Sequence, residues 1–226
     1  MPFKPFCILK YVDCLHTGLF YPYTLKIKCT KLTELKTTKN KGVFGIACLD
    51  DMLFVATHAA QIDVYQKVKT KYEKFVGITN SKLPSISDLA SCPCTKRLFI
   101  SDFEKFGVWM ITSPLSITAN SQNVEFERFV KVNQAQGLSV SAKGRVLVVT
   151  GHPYAIFVFD CNGIQEKYVD LAGIGIEDPY QAVLDVDCNF IVCSGLYENQ
   201  THRLTKISYI GESVVRTDNR PMFGSV

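Results

Sequence analysis

The chain has 226 residues, of which 47% are hydrophobic and 20% are charged, and its formal net charge at pH 7 is +4. This composition is typical of a folded globular protein and excludes intrinsic disorder. No apolar run approaches the roughly 18 residues that a membrane-spanning helix needs. We therefore expect a soluble protein with no membrane association.

The positive charge is concentrated near the N-terminus. Residues 1–45 contain eight lysines and two acidic residues, which leaves 17 basic and 19 acidic residues for the rest of the chain. A domain that binds nucleic acid over a broad surface would show a basic excess of its own. The charge distribution therefore disfavours such a surface on the main domain.

The cysteines and the start of the chain indicate a cellular compartment. Nine cysteines are present, and no two have the C-x-x-C spacing of zinc or redox sites. Proline and charged residues interrupt the first 30 residues, which therefore lack the continuous apolar core of a signal peptide. We expect free thiols and a cytoplasmic protein.

Two short segments near the N-terminus, residues 23–29 and 32–36, have the composition of β-strands. We predict that they form a β hairpin, equivalent to half of the repeat unit that follows.

A β-rich motif recurs four times in the rest of the chain. Its cores begin 45, 48 and 44 residues apart. A period in this range is the length of one four-stranded propeller blade. The cores are LFVAT (53–57), LFISD (98–102), VLVVT (146–150) and FIVCS (190–194).

Each core is flanked by further strand-like segments. One apolar strand and a tight turn precede the core, and two more strands follow it. We name the four strands a to d in chain order, so that the core is strand b. No 11-residue window has the spacing of an amphipathic helix, and we expect almost no helix. The predicted strands a, c and d are 45–49, 62–65 and 72–76; 86–90, 108–111 and 126–130; 137–141, 156–159 and 166–171; and 181–185, 204–208 and 212–216.

The third unit has the most characteristic sequence. It contains GLSV (137–140), KGRVLV (143–148) and IFVFDCNG (156–163), whose Asn-Gly pair supplies the positive φ angles of a two-residue turn. This unit resembles an NHL repeat, the blade type of tripartite-motif NHL proteins, and the resemblance extends more loosely over residues 44–216. It implies a β-propeller. The Asp that usually ends strand b in this family is Asp102 in the second unit, and the matching residues elsewhere are Thr57, Thr150 and Ser194.

The predicted fold is all-β, with about four propeller blades and an N-terminal hairpin or half-blade. We predict a basic N-terminal segment over residues 1–43, the blades over 44–217 and a C-terminal tail over 218–226. Propellers that this chain resembles usually close with about six blades, so we expect an incomplete propeller whose open blade edges can pair with a second copy. A closed ring of four blades is the alternative.

The loops of a propeller predict where a partner would bind. The b–c loops and the d–a connections emerge on the same face, where residues from different blades converge. The candidate binding residues on this loop face are His58, Lys82, Asp102, Phe103, Lys105, Phe106, His152, Tyr154, Asp178, Tyr180, Tyr197 and His202.

Aromatic side chains among charges of both signs are typical of a protein interface. We therefore expect a non-catalytic scaffold that binds a protein or peptide and uses no cofactor. Single-stranded RNA is one alternative, since some NHL propellers bind it, although RNA favours a positive groove beside the aromatic rings. A zinc-dependent lyase is another, with His58, His152 and His202 as weak candidate ligands because they stand at unequal distances from their strands.

Overall fold

The computed structural model describes residues 42–57, 61–79, 85–104, 107–119, 124–196, 201–210 and 213–221. The predicted N-terminal hairpin lies outside these residues, and so do the last residues of the predicted tail, 222–226.

The described residues form sixteen β-strands and two short 3-10 helices, Pro114–Ser116 and Ala172–Ile174, and they contain no α-helix. The strands are β1 (Val43–Leu49), β2 (Met52–Thr57), β3 (Gln61–Val68), β4 (Lys71–Thr79), β5 (Ile86–Cys92), β6 (Arg97–Asp102), β7 (Gly107–Ile111), β8 (Glu127–Val130), β9 (Ala135–Val140), β10 (Val146–Gly151), β11 (Tyr154–Phe159), β12 (Gln165–Asp170), β13 (Pro179–Leu184), β14 (Phe190–Leu196), β15 (Thr201–Ile210) and β16 (Ser213–Pro221).

The strands pair into four separate sheets, each with four antiparallel strands in chain order. We number these sheets blade 1 (β1–β4), blade 2 (β5–β8), blade 3 (β9–β12) and blade 4 (β13–β16), and in each the strands are a, b, c and d. The predicted all-β fold with four blades is confirmed.

Strand b of blades 2 and 3 is buried on both sides because each of these strands lies between two neighbouring blades. In β10, Leu147 and Val149 pack in the core shared with blade 4, and Val146 and Val148 pack in the core shared with blade 2. All four side chains are fully buried. A strand that is buried on both faces carries apolar side chains on both, so its sequence is a continuous apolar run. This burial explains why the four repeat cores stand out in the sequence.

The a strands of successive blades lie side by side, as innermost strands do in a propeller. Each contains a β-bulge, so one residue of strand a has no partner in strand b. The bulge sets the direction of the residue that follows it. The residues that follow the four bulges are Gly45, Asp88, Gly137 and Gln181.

Asp88 connects three blades through its buried carboxylate, which is 5% exposed. Its Oδ1 accepts the N–H of Leu89 at 2.8 Å within blade 2. Its Oδ2 accepts the N–H of Leu138 in blade 3 at 2.9 Å and the side-chain Nε2–H of Gln181 in blade 4 at 2.8 Å. A charged acceptor strengthens these bonds, so the carboxylate joins blades 2, 3 and 4 at their inner strands.

Glycine is required beside this network because backbones approach too closely for a side chain. A Cβ atom on Gly45 would lie 2.5 Å from the backbone N of Leu89, and one on Gly137 would lie 2.1 Å from the backbone O of Tyr180. Both contacts are between neighbouring blades, so any larger residue would force the inner strands apart.

We predict that Asp88→Ala lowers the free energy of unfolding by about 2–4 kcal/mol, because it leaves the buried N–H groups of Leu89 and Leu138 without their acceptor and removes one of the two acceptors of Gln181 Nε2. Urea unfolding followed by the fluorescence of Trp109 measures the change. The control is Asp187→Ala, which removes an exposed carboxylate and should stay within about 0.5 kcal/mol of the parent. Equal stabilities of the two variants would show that the Asp88 network does not hold the blades together.

Gly137→Ala should cost about 2–3 kcal/mol, because the added methyl group would overlap the Tyr180 carbonyl of the next blade. Gly42→Ala is the matched control, since its Cβ would meet only the Phe44 ring at 3.9 Å. The same unfolding measurement compares them. A Gly137→Ala protein as stable as Gly42→Ala would contradict the close packing of the inner strands.

Candidate functional site

The same hydrogen bond anchors the b–c loop in three of the blades. A backbone N–H in the last two residues of strand b, or just after it, donates to a backbone carbonyl of the connection that leads into strand a of the same blade. The bonds therefore hold both kinds of loop together on one face, as the sequence predicts. They join Phe103 N to Ser85 O at 3.1 Å, Gly151 N to Gln134 O at 3.0 Å and Gly195 N to Asp178 O at 3.2 Å.

The residue near the end of each strand b lies beneath this face. Thr57, Asp102, Thr150 and Ser194 are all buried. The Thr150 hydroxyl donates to the carbonyl of Pro153, and Oδ1 of Asp102 accepts the N–H of Glu104 at 3.0 Å. These short bonds shape the loops that follow. Asp102, a predicted binding residue, is thus placed as a loop cap with its carboxylate below the surface.

Tyr154 and Asp178 link the loops of blades 3 and 4. The Tyr154 hydroxyl donates to Asp178 Oδ1 at 2.8 Å. This hydrogen bond, followed by burial and by the charges of Asp178 and Glu177, raises the pKa of Tyr154 above its ordinary value of 10.0. The exposed His152 ring lies edge-on to the Tyr154 ring, with 6.2 Å between centroids. Three of the predicted residues therefore form one continuous group.

Tyr180 occupies the bulge of strand a in blade 4 and is half-buried. Its hydroxyl donates to the carbonyl oxygen of Gly195 at 2.5 Å. The ring thus closes the end of strand b in its own blade, and its polar atom is already used within the protein.

Phe103 extends the group toward blade 2. A Cβ atom on Gly151 would lie 3.3 Å from Cε2 of Phe103 and 2.8 Å from the side-chain nitrogen of Gln136. The half-buried Phe103 ring therefore lies against the b–c loop of blade 3, beside His152. Together, Phe103, His152, Tyr154 and Tyr180 define what we call the aromatic ridge.

The other predicted binding residues fall where the structure gives no side chain. His58, Lys82, Lys105, Phe106 and Tyr197 lie outside the described residues. His202 belongs to β15, where it pairs with Gly195, and only its backbone is described.

The described ranges contain neither a cluster of metal-binding side chains nor a helix that could span a membrane. There, no three His, Cys, Asp or Glu side chains come together in an arrangement that could hold a metal ion. The three-histidine zinc site stays a prediction, because two of its members have no described side chain. No helix in the described part of the chain is long and apolar enough to span a bilayer.

Sequence reasoning missed a groove of about 340 Å³ between blades 2 and 3. Its aromatic residues, Phe157 and Phe159, belong to a strand c, and their sequence pattern is that of ordinary core residues. The feature that could have predicted the groove is the short strand d of blade 2, because a short strand covers less of the neighbouring blade than a longer one. The groove is lined by Lys131, Val132, Asn133, Pro153, Phe157, Phe159 and Gln165.

Comparisons with known proteins give a fold and no family. No family profile matches the chain, and no curated protein matches it. Several solved structures, however, are similar to the chain in fold. A chain of a nidogen/laminin complex superposes with a TM-score of 0.56 at 12% identity, over 79% of this chain and 72% of that one. Virginiamycin B lyase from Staphylococcus aureus gives 0.54 at 15% identity, over 77% of this chain and 55% of the lyase.

A protein of unknown function from Bacteroides caccae also superposes, with a TM-score of 0.56 at 10% identity, over 84% of this chain and 65% of that one. The nidogen and lyase structures are β-propellers. The fold is a β-propeller. At these identities the likeness extends to the fold alone, and this chain spans between 55% and 72% of the three neighbours.

We predict that Asp178→Asn lowers the pKa of Tyr154 toward its ordinary value, because it removes the negative charge that accepts the phenol proton. NMR titration of 13Cζ-labelled tyrosine measures this, with the Tyr154 signal assigned from Tyr154→Phe. Glu177→Gln is the control and should lower the pKa less. Because the folded-state pKa is the higher one, the stability from this bond is present below pH 10.0 and is lost as the pH rises above it. An unchanged Tyr154 pKa in Asp178→Asn would contradict the bond.

Proposed function

We propose that this propeller is a non-catalytic interaction module that binds a protein or peptide on its loop face. The observation that carries the proposal is the aromatic ridge, which spans blades 2 to 4. Phe103 and His152 lie on loops, and Tyr154 and Tyr180 lie at the adjoining strand ends. The loops of all three blades are already hydrogen-bonded in place. Binding to a preorganised surface costs less conformational entropy than binding to a mobile one. Aromatic rings held in this way are the usual centre of a protein interface.

The charges around the ridge favour a protein over RNA. In the described loops of this face, Glu104, Glu177 and Asp178 are carboxylates, and Lys131 is the basic residue. Nucleic acid needs an excess of positive charge to replace the counterions of its phosphates. RNA therefore stays the second candidate, to be separated from peptide by experiment.

We further infer that the blades are of the NHL type and that the protein is cytoplasmic. The first inference is supported by the NHL-like sequence of blade 3, whose turn over residues 160–163 is ordered by Asp160 Oδ1, which accepts the N–H groups of Asn162 at 2.9 Å and Ile164 at 2.8 Å. The second is supported by the cysteines, since the six in the described ranges are all free thiols.

The test uses peptides selected from a random display library on the parent protein. We expect the double variant Phe103→Ala and His152→Ala to weaken their binding at least about tenfold, because it removes the centre of the ridge. The matched control is Lys143→Ala with Ile164→Ala, which removes one exposed polar residue and one exposed apolar residue from turns at the opposite ends of the strands. Circular dichroism confirms that both variants fold.

Two results would contradict the proposal. One is equal binding by the two double variants. The other is a library that yields no binder while an oligouridine binds with an affinity that falls steeply with salt, which would assign the face to RNA.

A further inference from the structure

The groove between blades 2 and 3 exists because strand d of blade 2 is short. β8 has four residues, and the chain leaves the edge of the blade at Lys131 to enter strand a of blade 3. Below this point the blades stay in contact, since Nη1 of Arg97 donates to the carbonyl of Cys161 at 2.7 Å. Above it, the flank of blade 3 is left partly uncovered and opens next to the loop face.

The floor of the groove is aromatic. The rings of Phe157 and Phe159 are stacked, with 6.2 Å between centroids and 10° between their planes. Phe159 is 5% exposed and meets Phe129 of blade 2 edge-on, whereas Phe157 is only half-buried. Tyr168, which is 44% exposed, touches Phe157 edge-on at 5.0 Å and continues the aromatic surface outward. This floor can accept a large apolar side chain.

The rim of the groove carries solvent-exposed hydrogen-bond donors. They are the amine of Lys131 and the side-chain amides of Asn133 and Gln165, all on exposed residues. Lys131 is the one charged residue among the seven that line the groove. An apolar floor with exposed donors on its rim and a single positive charge is complementary to a peptide that presents an apolar side chain and carboxylates.

The geometry points to this groove as the site that receives an acidic peptide segment, with one large apolar side chain on the Phe157–Phe159 floor and a neighbouring carboxylate at Lys131. The inference rests on the proposed function, because it names the chemistry of the peptide that the loop face binds. The groove begins at Asn133 and Pro153, so a peptide lying on the aromatic ridge can continue into it.

The experiment uses three acetylated, amidated pentapeptides and the full chain labelled with 15N. One peptide has Phe flanked by two Glu on each side, the second has Phe flanked by Lys, and the third has Ala flanked by Glu. We expect the first to shift the backbone signals of Lys131, Asn133, Phe157 and Gln165, with an affinity at least about fivefold above that of the other two. Lys131→Glu should reverse the preference between the two Phe peptides, and the control Lys143→Glu should not.

The outcomes separate the groove from the proposed function. If the acidic Phe peptide shifts only signals elsewhere, including the lysine-rich N-terminal segment, or if Lys131→Glu and Lys143→Glu act alike, the groove inference is overturned. In that case library peptides that still bind the aromatic ridge leave the proposed function standing. If neither the pentapeptides nor the library peptides bind, both are overturned.

Discussion

The structure depends on the crowding of its inner strands. Four a strands run side by side. Of the four residues that follow their bulges, only two have room for a side chain. Asp88 and Gln181 occupy that space, and Gly45 and Gly137 leave it open for them. The Asp88 carboxylate satisfies donors from three blades at once. The same close packing therefore requires the order of the blades, the register of the inner strands and the two glycines.

Backbone hydrogen bonds attach the loop face to the packed inner strands. Strand b of blade 2 and strand b of blade 3 are each packed between two blade cores. Near the end of every strand b lies a buried Thr, Asp or Ser next to the loop that follows. The bonds from Gly151 to Gln134 and from Gly195 to Asp178 then fix these loops to the start of strand a, next to the bulges. Rings carried by such loops keep their positions without help from a partner. The aromatic ridge is thus a consequence of blade packing rather than of the ring residues alone.

The same packing leaves part of blade 3 uncovered, because strand d of blade 2 is short. β8 has four residues, while the neighbouring strand c of blade 3, β11, has six. The exposed part of this flank is aromatic because it shares its face with the core residue Phe159. A groove can therefore arise from a length mismatch between strands, with no specialised motif.

Sequence reasoning succeeded where a single physical cause produces a local pattern, as in the four apolar runs at a regular spacing. The predicted two-residue turn at Asn162 and Gly163 was wrong in detail. Only Gly163 has a positive φ, of 86°, and the N–H of Asp160 donates to the carbonyl of Ile164, so the loop has three residues. Sequence reasoning did not find the role of Asp88, because a carboxylate that bonds to Leu138 and Gln181 depends on residues 50 and 93 positions away. It missed the groove for a similar reason. Whether Phe157 is buried or exposed depends on the length of β8, which belongs to another blade.

If the Asp88 network joins blades 2 to 4 into one cooperative unit, hydrogen exchange of the Leu138 amide should report it. We expect this amide to exchange only through global unfolding, with the same opening free energy as Ile100 in blade 2 and Val148 in blade 3. Amides of the outer strand β12 should open at lower free energy. Exchange of Leu138 by local opening, with separate opening free energies for blades 2 and 3, would contradict the account.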